Sequence, residues 1–185
     1  MKKNLKYAFI LLSICAVCAF ALGLTNSITA PVIAQTEREN EMMALKAVSN
    51  GWSVGEQAET QGVPFVIYTV PLTENNEKRG YIVGLKGAGY GGELTLVASY
   101  TLEGEMLFAK MLTNSETPGL GKKSEQEGYM DMFKGTGSVK AVPTTKDMLD
   151  SSDAAAVSGS SVTFMAIGKA IAGGSDYVKS LGGSK

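Results

Sequence analysis

Histidine is absent from this chain of 185 residues, and that absence removes a large share of enzyme chemistry. No Ser-His-Asp or Cys-His relay, imidazole zinc site or histidine-ligated haem can be built. Only two cysteines occur, Cys15 and Cys18, both in an apolar N-terminal stretch. The remainder therefore has neither a disulfide nor a thiolate. Charge is scarce too: 19% of residues are charged, and the formal net charge is −1. With no basic stripe, nucleic acid is excluded as the main partner. A hydrophobic fraction of 44% is that of a folded domain, and about 150 residues beyond the apolar stretch suffice for one core. No catalytic side-chain set and no metal-ligand set is expected. Chemistry is left to hydroxyls, carboxylates, backbone amides, or a cofactor that the protein only holds.

What is there begins with Lys2, Lys3 and Lys6, followed by a run from Tyr7 to Thr36 without one charged side chain. As a helix, its densest part, Tyr7 to Leu24, rises about 27 Å, just enough to cross the hydrocarbon layer. The lysines predict a cytoplasmic N-terminus, a single pass through a bacterial inner (cytoplasmic) membrane, and an extracytoplasmic domain. A cleaved secretory signal is the rival, since Ala19-Phe20-Ala21 has small residues at a cleavage spacing. The length of the charge-free run favours a retained anchor. Ile14 and Val17 stand where a lipoprotein signal needs a small residue. Cys15 and Cys18 form C-x-x-C with no histidine after it, which excludes haem c attachment and leaves packing on one helix face or, as the lesser alternative, iron–sulfur ligation shared with another subunit.

Pro31 is expected to kink or end the membrane helix. A second helical pattern runs from Thr36 to about Asn50, where Asn50-Gly51 supplies turn chemistry. This divides the chain into an anchor with its lysines (1–30), a helical connector (31–50) and a domain (51–185). Within the domain, strand patterns cover Phe65–Val70, Tyr81–Lys86, Glu93–Thr101 and Glu105–Leu112, the last two joined at Glu103-Gly104. Ser124–Phe133 reads as a short helix with Tyr129, Met132 and Phe133 on one face, and Lys140–Val142 as a short strand. Ser161 to about Ala172 is helical in pattern. The expected class is α+β, a transmembrane helix followed by one domain with an antiparallel sheet and packed helices.

Three segments have the composition of a binding site. Gly87-Ala88-Gly89-Tyr90-Gly91-Gly92 lies between two strands; it reads as a loose glycine hairpin or as a close approach of backbone to a ligand, with Tyr90 as an aromatic face. Ser115-Glu116-Thr117-Pro118-Gly119-Leu120-Gly121 contains a tight turn. As a plain turn it would not need Leu120 at its tip, whereas a platform under a planar ring would. Val157-Ser158-Gly159-Ser160-Ser161-Val162-Thr163 leads into the last helix. It is either a simple cap or an anion site, where free amides and the positive dipole end favour phosphate.

In this order, behind an N-terminal membrane helix, Gly-Tyr-Gly-Gly, Glu-Thr-Pro-Gly-Leu-Gly and Ser-Gly-Ser-Ser-Val-Thr resemble the covalent FMN-binding domain family. That family includes the G subunits of Rnf-type ion-pumping electron-transport complexes and the C subunits of sodium-pumping NADH:quinone reductases. The resemblance implies FMN carried on a hydroxyl through a phosphoester, installed by a separate flavin transferase that uses FAD and magnesium. It also implies other membrane subunits of an Rnf-type complex as partners. The family's Ser-Gly-Ala-Thr corresponds to Ser158-Gly159-Ser160-Ser161, which puts the covalent FMN on Ser161, with Thr163 as the fallback acceptor. Tyr90, Gly91, Glu116, Thr117, Gly119, Leu120 and Gly121 are then the expected surroundings of the ring, and the amides near Gly119 and Gly159 its polar contacts.

The chain departs from the family pattern in three places. Ser160 replaces an alanine and Ser161 the commoner threonine. The aspartate usually three residues before the first serine is Ala155 here, and the nearest carboxylate is Asp153, which a small bulge in the Ala154-Ala155-Ala156 run would have to bring into place. The rival functions are an extracytoplasmic binding or assembly module without flavin, a solitary anchored FMN-binding electron carrier, and an independent hydrolase or transferase with a serine nucleophile. The last has only Lys169 as a base, eight positions beyond Ser161 and roughly two helical turns away.

Overall fold

The computed structural model describes residues 2–182, with side chains from Lys6 onward. The side chains of Lys2 and Lys3, on which the expected orientation leans, lie outside the described residues, as do positions 183–185 of the expected domain. Two compact units are present, one ending at Glu41 and the other beginning at Met42.

The first unit is helix. Helix α1 runs Lys2–Val48 and passes through Pro31, so the expected break there does not occur. Proline removes only the N–H that would reach the Ser27 carbonyl, and the turns on either side keep their own bonds. Threonine and serine hydroxyls along this stretch, such as Thr25 to Ala21 O and Thr29 to Thr25 O (both 2.9 Å), bond back into the helix. They bring no unpaired polar group to an apolar surround. Among the described residues α1 is the helix long and apolar enough to cross a membrane. Cys15 and Cys18 are exposed on it and unbridged.

The second unit is an antiparallel sheet with one long helix. Its strands are β1 (Ser53–Val54), β2 (Ala58–Glu59), β3 (Val66–Glu74), β4 (Glu77–Ala88), β5 (Glu93–Thr101) and β6 (Met106–Asn114), in the order β1-β3-β4-β5-β6 with β2 also on β3. β3 and β4 turn at Asn75-Asn76, whose φ angles of 51° and 69° match the twist of a tight hairpin. Pro71 and the charges from Glu74 to Arg79 interrupt the apolar pattern, which is why the two strands read shorter in the sequence than they are. One face of the sheet carries Val83, Leu85, Leu94, Leu96 and Tyr100 against Phe164, Ile167, Ile171 and Val178 of helix α3 (Ser161–Gly182). The other carries Tyr68, Val70, Leu72, Ile82 and Val97, packed with Ala44 and Val48 from the last turns of α1.

Three expectations are corrected. Ser124–Phe133 is not one helix but two 3-10 turns, Gly121–Glu125 and Tyr129–Phe133, because Gly128 between them has a φ of 82°. Lys140–Val142 forms no strand; Gly137 N bonds the Lys140 carbonyl at 2.7 Å, and the run leads into Pro143, which has no N–H to offer a ladder. The last helix continues ten residues past Ala172, through Gly173-Gly174. These glycines are required by close packing, not by a stop. A Cβ on Gly174 would stand 2.6 Å from the Tyr100 hydroxyl, and one on Gly173 2.8 Å from the Phe65 ring. A further helix, α2 (Ser151–Ala156), was not foreseen. It is six residues long and held by Asp150, which accepts from the amides of Ser152 and Asp153.

Phe164 is fully buried and stacks on Phe133 with ring centroids 5.5 Å apart. Phe164→Ala should therefore lower the stability of the domain by about 3–5 kcal/mol, read as a shift in the denaturant midpoint of the full chain in detergent.

Candidate functional site

The β4–β5 turn, the turn after β6 and the start of α3 meet at one end of the sheet. Gly89 N bonds Gly92 O at 2.9 Å and closes the first turn, which carries Tyr90 at its tip. In the second, Leu120 N and Lys122 N both bond Thr117 O (3.2 and 3.3 Å), and Gly119 has a φ of 79°. In the third, Ser158 N bonds Ala155 O and Ser160 N bonds Val157 O, Gly159 has a φ of 82°, and Phe164 N to Ser160 O (3.0 Å) opens the helix. The amides of Ser161, Val162 and Thr163 precede the first helical bond and so have no carbonyl within the helix.

These segments enclose an open cleft of about 440 Å³, lined by Tyr90, Glu116, Thr117, Leu120, Gly121, Gly159, Ser160, Ser161, Val162 and Thr163. Nine of these ten were named from the sequence. Val162 was missed: an apolar residue in a helical pattern reads as core, yet it is 44% exposed. Gly91, Gly119 and Ser158 do not line the cleft; Gly91 is tied to it through Glu116, and Ser158 faces solvent. Leu120 and Gly159 approach closely enough that a Cβ on Gly159 would lie 3.3 Å from Leu120 Cδ2. The second and third segments are therefore in direct contact.

Of the hydroxyls at the helix start, Ser161 is partly exposed, whereas Thr163 is 1% exposed and Ser160 is buried, donating to Val157 O at 3.2 Å. Behind Ser160 lies Tyr129, whose buried hydroxyl has no hydrogen bond of full geometry and interacts with the Ser160 side chain. Glu116 is buried as well, with its N–H on Asn114 Oδ1 (2.8 Å) and its Oε1 accepting from Gly91 N (3.0 Å). Asn114 in turn donates to Ser124 Oγ at 2.8 Å, and Ser124 Oγ to Gly121 O at 2.7 Å. Lys169 is exposed and is not among the cleft residues. Asp153 sits in a regular turn of α2, where Val157 N bonds Asp153 O at 3.1 Å, so no bulge shifts it toward the position of Ala155.

Apolar walls at Leu120, Val162 and Tyr90, with unpaired helix amides and a serine hydroxyl beside them, suit a planar ring with an anionic tail. Residues 1–48 match the RnfG N-terminal region, and residues 89–174 match the FMN-binding domain. The chain is thus similar to RnfG proteins at its N-terminus and to the FMN-binding domain family over the part that builds the cleft. The matched stretch contains all three segments that build the cleft. Among similar proteins is the G subunit of the proton-translocating ferredoxin:NAD(+) oxidoreductase complex of Clostridium ljungdahlii, 22% identical over 92% of this chain and 89% of its own length. The G subunit of the Na(+)-translocating ferredoxin:NAD(+) oxidoreductase complex of Acetobacterium woodii is 27% identical over 88% of this chain and 85% of its own. The G subunit of the ion-translocating oxidoreductase complex of Stutzerimonas stutzeri is 28% identical over 60% of this chain and 52% of its own.

Burial pushes the Tyr129 phenol up to about 12 from its ordinary 10, and the Ser160 hydroxyl draws it partly back. The unfolded chain loses this proton at the lower value, so the contribution is intact below pH 10 and is lost as the pH rises toward 12. Tyr129→Phe should flatten part of the alkaline fall in stability, measured as denaturant midpoints of both proteins from neutral pH upward.

Proposed function

We propose that this chain is a membrane-anchored flavoprotein subunit of an Rnf-type ion-pumping electron-transport complex, carrying FMN on Ser161 through a phosphoester. The observation that supports this reading is that Ser161, in the first turn of α3, lines the same cleft as Thr117 and Leu120.

FMN, when bound, supplies the redox chemistry, and the chain binds and orients it. Attachment forms a bond from Ser161 Oγ to the FMN phosphorus of FAD; AMP leaves, and the hydroxyl proton passes to solvent. The separate flavin transferase implied by the family resemblance performs this step. The amides of Ser161, Val162 and Thr163, with the positive end of α3, then face the phosphate. Leu120 and Val162 offer apolar surface to the ring, Tyr90 an aromatic face, and Thr117 a hydroxyl. Ser161 is preferred over Thr163 because its side chain is the more accessible of the two to an attaching enzyme.

The lysines at the N-terminus support an orientation with that end in the cytoplasm of a bacterial cell and the domain outside it. There a freely dissociating flavin would be lost, and an ester bond keeps it. The other membrane subunits of the complex are the partners that deliver and accept electrons, as the names of the relatives suggest by likeness.

The test is the mass of the tryptic peptide ending at Lys169, from full-length protein produced together with a flavin transferase. Wild type should carry one FMN-sized addition on Ser161, and Ser161→Ala should carry none and lose in-gel flavin fluorescence. An unmodified wild-type peptide, or a Ser161→Ala protein that keeps its fluorescence, would overturn the assignment.

A further inference from the structure

We infer that Glu116 is a positioning residue whose carboxylate clamps the Gly89–Gly92 turn to the Thr117–Gly121 turn, fixing two walls of the cleft against each other. Its purpose rests on the FMN reading above; its geometry does not.

Glu116 is 4% exposed. Among the described residues no lysine or arginine forms an ion pair with it. A buried carboxylate without a cation is costly unless its oxygens are otherwise engaged. Here each oxygen faces the main chain of a different turn. Oε1 accepts from Gly91 N at 3.0 Å and lies so close to Gly89 that a Cβ there would overlap it. Oε2 faces Gly121, where a Cβ would stand 2.5 Å away. Glycine at 89 and at 121 is thus the space that one carboxylate occupies. The backbone of Glu116 is held in turn by Asn114 Oδ1, and Asn114 by Ser124.

The clamp bears on the cleft because of what each turn carries. Tyr90, 80% exposed, stands between Gly89 and Gly91, and Leu120 stands one residue before Gly121. The Gly89 to Gly92 bond closes the first turn on itself. The Gly91 N–H to Glu116 bond ties it to the second turn. Losing the carboxylate frees the tyrosine turn from the leucine turn without touching the attachment serine.

Glu116→Gln keeps an acceptor for Gly91 N and nearly the same volume; Glu116→Ala removes both oxygens. The three full-length proteins are compared in detergent with attached flavin, and again in a Ser161→Ala background. In both backgrounds the 87–92 segment should exchange amide hydrogens about tenfold faster in E116A than in wild type, with E116Q close to wild type. Normalised per attached flavin, the induced visible circular dichroism should fall to about half or less in E116A and return in E116Q, as expected when an oriented cofactor site loses its supporting contact. Equal exchange in all three proteins overturns the clamp. So does an induced signal that ignores the substitution. If wild type carries no flavin at all, the Ser161 reading fails while the exchange comparison still decides the clamp. Should E116A not fold, Glu116→Asp takes its place, since a carboxylate one methylene shorter cannot reach both turns.

Discussion

The Tyr100 hydroxyl, fully buried beneath α3, donates to the Ile171 carbonyl at 2.9 Å. It is a polar contact in an apolar layer, where an unmade bond would cost more than the made one contributes. That bond fixes where along β5 the helix lies, and Gly173-Gly174 let the helix come down far enough to make it. A second anchor sits one turn on, where Ser175 donates to the carbonyls of Gly104 and Gly137. Once the middle of a helix of 22 residues is pinned, its first turn has one place to be. That place is beside the ends of β4, β5 and β6, where the two glycine-bearing turns emerge. The cleft is therefore a consequence of helix-on-sheet packing far from the cleft itself.

A chain without histidine, and with cysteine confined to α1, builds this cleft from main chain and hydroxyls. Its chemistry is that of a holder. The helix start offers amides, the turns offer apolar surface, and the buried polar groups are engaged within the protein, Glu116 with Gly91 N, Asn114 with Ser124 and Tyr129 with Ser160. The presence of Ser160 where the family has alanine fits the same economy. It interacts with the Tyr129 hydroxyl, a buried group with no hydrogen bond of full geometry.

The legible parts of the fold and site were those governed by local pattern. Alternation of apolar residues marked four strands, and the run Thr117-Pro118-Gly119 marked its turn. The cluster Ser158-Gly159-Ser160-Ser161 marked the start of α3 to the residue. What was not legible depends on neighbours distant in sequence. Gly173-Gly174 reads as a helix end until Phe65 and Tyr100 are placed against it. Val162 reads as core until its face is seen to be open. Gly128, between Ser124 and Phe133, splits an apparent helix through its backbone conformation, which side-chain periodicity does not register. Glu116 was picked out by motif resemblance alone; no spacing rule connects it to Gly89 and Gly91, some 25 residues earlier.

The openness of the cleft bears on how a flavin would be kept. Tyr90, Leu120 and Val162 each expose a large part of their surface, so a ring lying among them would remain partly in water and gain only a fraction of full apolar burial. A helix N-terminus at a surface adds about 0.3–1 kcal/mol toward an anion, and salt weakens it. Neither contribution retains a small cofactor against dilution. The proposed ester bond to Ser161 would remove that requirement, and the cleft would need only to orient the ring. An exposed ring edge would then be useful, because an electron could leave toward another protein without the ring itself departing. The same features that would make this a poor reversible flavin site thus suit a tethered one.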